Sequence, residues 1–178
     1  MQIKTIFAGF GGQGVLMMGY SFAQAAMFEG FHVTYLPSYG VEVRGGTANC
    51  TVAVSNEEIA SPVASQPDYL VIMNTPSLIT FQTRIAPGGA FFLNSSIISS
   101  RPNRSDVDIW QIPASEIAGS LGNPRVQNVV MMGAYVKMTR MVSAETYLKS
   151  LKAILGTKKK AAMEINRKAF EAGFNCIE

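Results

Sequence analysis

Apolar and polar positions alternate along this chain in two rhythms, and the switches between them mark out its elements. Residues 3–8 form a short apolar run that ends in a glycine cluster, which predicts a strand entering a tight loop. From 14 to 29 the apolar positions recur at helical spacing, and Gly30 supplies a stop. Residues 32–36 read as a second strand ending at Pro37, 38–46 as a polar, glycine-rich loop, and 47–54 as a third strand. A fourth strand is expected at 69–73, then a helix opened by Pro76 and Ser77 that runs toward Arg84, then a turn at Pro87-Gly88-Gly89. Residues 90–93 and 107–112 give two further strands. After Pro113 helical spacing dominates, over 114–121, 126–141, 144–155 and 158–172.

Strands alternating with helices imply an α/β fold, a three-layer α/β/α sandwich around a mostly parallel, Rossmann-like sheet. Only a ten-residue loop separates the second and third strands, too little for a parallel crossover, so at least one strand must run antiparallel. No repeat or linker divides the chain, and residues 1–178 are read as a single domain with a helical C-terminal part. Two helices stand out. The first has a narrow polar stripe of Ser21 and Gln24 only, and residues 129–136 of a later one are almost wholly apolar. A helix apolar on every side is buried on every side. Either helix alone could be buried within the domain, but two of them in one small domain point to a surface that meets a partner.

Composition sharpens that expectation. Charged residues make up 15% of the chain, against about 25% in soluble domains generally. The apolar run at 129–136 is far shorter than the ~20 residues a spanning helix requires, so a membrane protein is not indicated. Residues 1–100 hold three basic and five acidic side chains, and 101–178 hold twelve and seven. The basic excess has few aromatic neighbours, which argues against nucleic acid. Cys50 and Cys176 lack the spacing for a zinc or iron–sulfur site, and His32 is the only histidine, so no metal-binding residues are assigned. Lys4 and Ala23-Gln24-Ala25 imitate an export signal, but glycines and Gln13 interrupt its apolar centre, and a cytoplasmic protein is expected.

Two loops carry the candidate chemistry. Gly9-Phe10-Gly11-Gly12-Gln13-Gly14 places G-x-G-x-x-G between a strand and a helix, where bare backbone amides can meet a phosphate or carboxylate. The acidic residue that would hold a ribose at the end of the second strand is missing; Leu36-Pro37-Ser38 stands there, so tightly held NAD or FAD is disfavoured. An anion-binding loop and a purely structural turn both remain open. The second loop, Ser38-Tyr39-Gly40-Val41-Glu42-Val43-Arg44-Gly45-Gly46, could offer the Arg44 guanidinium to an anion, or Glu42 could pair with it. Asn94-Ser95-Ser96 could complete the same crevice or simply make a turn. No catalytic residue is assigned.

These two loops resemble the signature of the gamma subunit of 2-oxoacid:ferredoxin oxidoreductases, the family of the pyruvate, 2-oxoglutarate, branched-chain and indolepyruvate enzymes. Ile59-Ala60-Ser61-Pro62, Ile112-Pro113-Ala114, the stretch from Asn128 to Ala134 and the stretch from Asn166 to Gly173 extend the likeness over nearly the whole chain. The resemblance implies one piece of a multi-subunit enzyme that decarboxylates a 2-oxoacid oxidatively, with coenzyme A as co-substrate and ferredoxin receiving the electrons. It also implies that thiamine diphosphate and iron–sulfur clusters sit in partner subunits and that this chain, inactive alone, lies on the coenzyme A side. The hydrophobic excess would equally fit a homodimer of the isolated chain. Gly11, Gly12, Gln13, Gly14, Ser38, Arg44, Gly45 and Gly46 are then the expected binding residues. A free-standing nucleotide-binding oxidoreductase and a non-catalytic assembly subunit are the competing readings.

Overall fold

A computed structural model describes residues 1–39, 46–156 and 160–177. The strands are β1 (Gln2–Phe10), β2 (His32–Tyr39), β3 (Thr47–Ser55), β4 (Tyr69–Ile72), β5 (Ala90–Asn94) and β6 (Asp108–Ile112). The helices are α1 (Val15–Phe28), α2 (Thr75–Phe81), α3 (Ala114–Ser120), α4 (Gln127–Thr139), α5 (Ala144–Leu155) and α6 (Lys160–Asn175). The strands form one sheet in the order β2-β3-β1-β4-β5-β6. β1, β4, β5 and β6 pair in parallel. β3 lies antiparallel between β1 and β2, as the short second loop requires.

Period-two alternation sorts the strand residues into two cores. Phe7, Val71 and Phe92 stand in register on one face, and Ile6, Leu70 and Phe91 on the other. The layers are unequal. The first core takes buried residues from α1, α3, α4, α5 and α6, whereas the second is closed by α2 and by connecting segments. α4 is buried along Asn128–Val136 and packs on α6, so its apolar coat is satisfied inside the molecule. α1 lies over β2 and β3 and touches α5, yet Met17, Tyr20, Met27 and Phe28 stay exposed on its outer side.

Most elements fall within a residue or two of the sequence reading, with one informative exception. The second strand runs through Pro37 to Tyr39, so Ser38 and Tyr39 belong to a strand rather than to a loop. β2 is the outermost strand, and proline is tolerated there because an edge does not need every N–H. Among the described residues, no helix is long and apolar enough to cross a membrane.

Candidate functional site

The site is assembled where β1 ends and α1 begins. Gly14, the residue before α1, adopts a left-handed conformation (φ 73°) and provides no side-chain cap, so the first-turn amides of the helix are left without one. A β-carbon on Gly14 would strike the Asn128 amide, which donates to the Gly14 carbonyl at 3.4 Å. Both positive φ and close approach therefore demand glycine here. The Gly11 N–H donates to the Gly46 carbonyl at 3.0 Å and ties the first loop to the start of β3.

Between these segments lies a cavity of about 440 Å³, within the range of small-molecule sites. Gly11, Gly12, Gly14 and Gly46 line it, together with Phe10, Leu16, Met17, Tyr39 and Thr47. The described lining holds no charged side chain. What it offers a ligand is backbone amides, an uncapped helix end with its partial positive charge, and apolar side chains. That arrangement suits binding of an anionic group attached to an apolar or stacking body. It supplies no nucleophile and no acid–base pair. Cys50, whose Sγ lies 3.7 Å from the Val15 carbonyl beneath this helix end, is fully buried, and burial pushes its thiol up to about 12. It stays protonated at neutral pH and behaves as a core residue. Burial, with smaller contributions from the neighbouring Cys50, Tyr39 and Tyr20, likewise raises Tyr35 to about 12.

The expected site residues divide into three groups. Gly11, Gly12, Gly14 and Gly46 are brought together at the cavity. Gln13 turns the other way: its carboxamide oxygen accepts from the Phe10 N–H at 2.7 Å and its nitrogen donates to the Met73 carbonyl at 3.2 Å. Ser38 is exposed on β2 and its neighbour Tyr39, not Ser38 itself, reaches the cavity. Arg44 and Gly45 lie outside the described residues. Asn94 is wholly buried and bonded to Ser115, whose hydroxyl in turn donates to Gln127, while Ser96 accepts from the Glu116 N–H. Those residues join β5 to α3 rather than facing the cavity. Phe10 and Tyr39 stand within the two candidate loops with no binding role assigned, and Leu16, Met17 and Thr47 carry no sequence signal of their own, since side chains at strand and helix ends look the same whether they face a ligand or a core. Among the described residues no group of His, Cys, Asp and Glu could hold a metal ion. A cluster with four cysteine ligands could not be built on this chain's two.

The family model for pyruvate ferredoxin/flavodoxin oxidoreductase matches residues 4–176. The ketoisovalerate oxidoreductase subunit VorA of Methanothermobacter thermautotrophicus is 38% identical over 173 residues, 97% of this chain and 36% of the relative. The chain thus spans about a third of the length of that relative. The gamma subunit of a keto/oxoacid ferredoxin oxidoreductase from Geobacter sulfurreducens has a similar structure, with TM-score 0.82 and 28% identity over 97% of this chain and 96% of that one. A 2-oxoglutarate:ferredoxin oxidoreductase from Magnetococcus marinus, solved with 2-oxoglutarate, coenzyme A and succinyl-CoA bound, gives TM-score 0.89 at 25% identity. In that case 97% of this chain covers 30% of the other.

Proposed function

This chain belongs to the pyruvate ferredoxin/flavodoxin oxidoreductase family, and we propose on that premise that it is the gamma-type component of a multi-subunit 2-oxoacid:ferredoxin oxidoreductase. The assembled enzyme would convert a 2-oxoacid and coenzyme A to an acyl-CoA and carbon dioxide, with the electrons passing to ferredoxin. Thiamine diphosphate and the iron–sulfur clusters would be carried by partner chains, in keeping with the two cysteines and single histidine here. The same thiol usage, with Cys50 buried and unpaired, suits a reducing cytoplasm.

The observation that carries the local role is the cavity at the uncapped start of α1, lined by glycine backbone and free of charged side chains among the described residues. We assign it to coenzyme A. The N–H groups of Gly12 and Gly14 would donate to a phosphate, with Gly11 and Gly46 joined to each other at the rim, and Leu16, Met17 and Tyr39 would take the apolar length of the ligand. From the sequence, Arg44 would supply the countercharge, with Ser38 and Gly45 beside it. Gln13 belongs to the same loop.

The test is steady-state kinetics of the assembled enzyme carrying Arg44→Ala. The KM for coenzyme A should rise roughly 10- to 100-fold, the cost of one charge-assisted hydrogen bond. Unchanged kinetics would remove Arg44 from the site. The purified chain without its partners should show no decarboxylation, and turnover by it alone would refute the subunit reading.

A further inference from the structure

Two segments distant in sequence, the end of β1 with its loop and residues 73–74, meet at the Gln13 carboxamide. Its oxygen accepts from the Phe10 N–H at 2.7 Å and from Asn74 Nδ2 at 3.3 Å, and its nitrogen donates to the Met73 carbonyl at 3.2 Å. An amide of this kind has two acceptor and two donor positions. Three of the four are used, and all three point into the protein, toward the end of β1 and the junction of β4 with α2. Asn74 is itself fixed, because its oxygen accepts from the Ser77 N–H at 2.9 Å at the start of α2. Gly9 leaves room for this arrangement: a β-carbon there would lie 2.6 Å from Gln13 Oε1. Gly12 and Gly14, on either side of Gln13, line the cavity, and Gln13 does not.

Two successive glycines have too much backbone freedom to hold their own amides toward a ligand. Backbone bonds from the Gly11 N–H to the Gly46 carbonyl (3.0 Å) and from the Gln13 N–H to the Phe10 carbonyl (3.1 Å) close the turn, and its orientation against the rest of the protein is left to side chains. We infer that Gln13 is a positioning residue: the chain of hydrogen bonds from Asn74 through Gln13 to Phe10 orients the turn that presents the Gly12 amide, and the Gln13 side chain does not touch the ligand. The inference deepens the reading of the cavity as a coenzyme A site and rests on it. It also separates Gln13 from the glycines with which the motif grouped it.

Two variants test it. Gln13→Met keeps the length of the side chain and removes all three bonds. Asn74→Ser keeps a hydroxyl to cap α2 but is too short to reach Gln13. In the full chain, hydrogen exchange at the Phe10 amide should accelerate roughly fivefold or more in Gln13→Met, the loss expected for one hydrogen bond. In the assembled enzyme kcat/KM for coenzyme A should fall roughly 10- to 100-fold through KM, as displaced binding groups predict, while the KM for the 2-oxoacid holds. Asn74→Ser should move both readouts in the same direction by less, and the double variant should be no worse than Gln13→Met alone, because one chain is broken in both.

A raised KM in Gln13→Met with Asn74→Ser silent would mean that Gln13 contacts the ligand directly, and additive effects would mean two separate sites. Either overturns the inference, as does unchanged Phe10 exchange. If Gln13→Met fails to assemble, Asn74→Ser carries the test with the same paired readouts. An enzyme that needs no coenzyme A would defeat the assignment of the cavity, whereas exchange at Phe10 would still decide whether Gln13 holds the loop.

Discussion

At the scale of single residues, side-chain amides and carboxylates in this protein join elements that the sequence keeps far apart. Glu29 follows the last residue of α1, and its carboxylate accepts the backbone N–H of Ser143 at 2.7 Å. Ser143 caps α5 through the Thr146 N–H, but Thr146 cannot reach back to the Ser143 N–H as a glutamate at that position would. Glu29 fills that role from another helix. Its partial burial opposes ionisation, yet the hydrogen bonds from the Ser143 backbone, Thr146 and the Ser143 side chain prevail and hold its carboxyl below the ordinary 4.5. A carboxyl lowered on folding stabilises the fold above its unfolded pKa and loses that contribution as pH falls through the folded value. Glu29→Gln keeps an acceptor and removes the charge. Denaturant titration should therefore show a deficit of about 0.5 kcal/mol near pH 7, small because the group is solvent-screened, and the deficit should close as the pH drops below 4.5. A gap of constant size across that range would contradict the ionised contact. Neither Glu29 nor Gln13 could be given its role from sequence. Glu29 lies 114 positions from Ser143 and Gln13 lies 60 from Met73, and no local spacing tells which way either side chain turns.

At the scale of elements, periodicity reported what each segment is and said little about what lies beside it. The alternation in β3 and the short preceding loop were enough to require antiparallel pairing, but not to place β3 between β1 and β2. The glycine stop after α1 was legible; the continuation of β2 past Pro37 was not, because only its position at the sheet edge makes proline harmless. The two all-apolar helices, indistinguishable in sequence, separate here. α4 is enclosed because α6 approaches it unusually closely: a β-carbon on Gly173 would land on the Val130 carbonyl, and one on Gly133 on the Phe170 carbonyl. The helices cross backbone to backbone through this reciprocal pair of glycines. Replacing glycine by alanine inside a helix ordinarily stabilises it by roughly 0.5–1 kcal/mol. Gly173→Ala should reverse that sign and cost about 3 kcal/mol, since two backbones must part to admit one methyl group. Gly119→Ala is the control. It is exposed on α3 with open space around it and should raise the melting temperature slightly. If both variants gain stability, the crossing is not as close as described.

At the scale of the whole molecule, the low charged share of 15% has a location. Of the exposed large apolar residues among those described, Met17, Tyr20, Met27 and Phe28 lie on α1, and Leu36 and Tyr39 on the adjoining edge strand β2. α1 carries no charged residue from Val15 to Phe28, and β2 carries only His32 among its titratable cations and acids. This face begins at the cavity, where Met17 and Tyr39 form part of the lining, and runs to Phe28, over whose ring Lys149 sits at 5.2 Å. Under the proposed subunit role, this neutral, apolar surface beside the cavity would seat a partner chain. A partner seated there would also exclude water from the cavity. Tyr20 and Met27 are 47% and 63% exposed, so Tyr20→Glu with Met27→Glu should leave the fold and melting temperature of the isolated chain nearly unchanged. On co-expression with the thiamine-binding and cluster-bearing chains proposed above, the same pair should abolish co-purification, because two carboxylates would be buried unpaired in the contact. Ile79→Glu provides the matched comparison: it is 66% exposed but sits on α2, against the opposite face of the sheet, and should assemble normally. Loss of the complex in Ile79→Glu and not in the α1 variant would transfer the interface to the thin side of the sheet, where α2 alone among the helices contributes to the core, and would leave the α1 surface needing a different occupant.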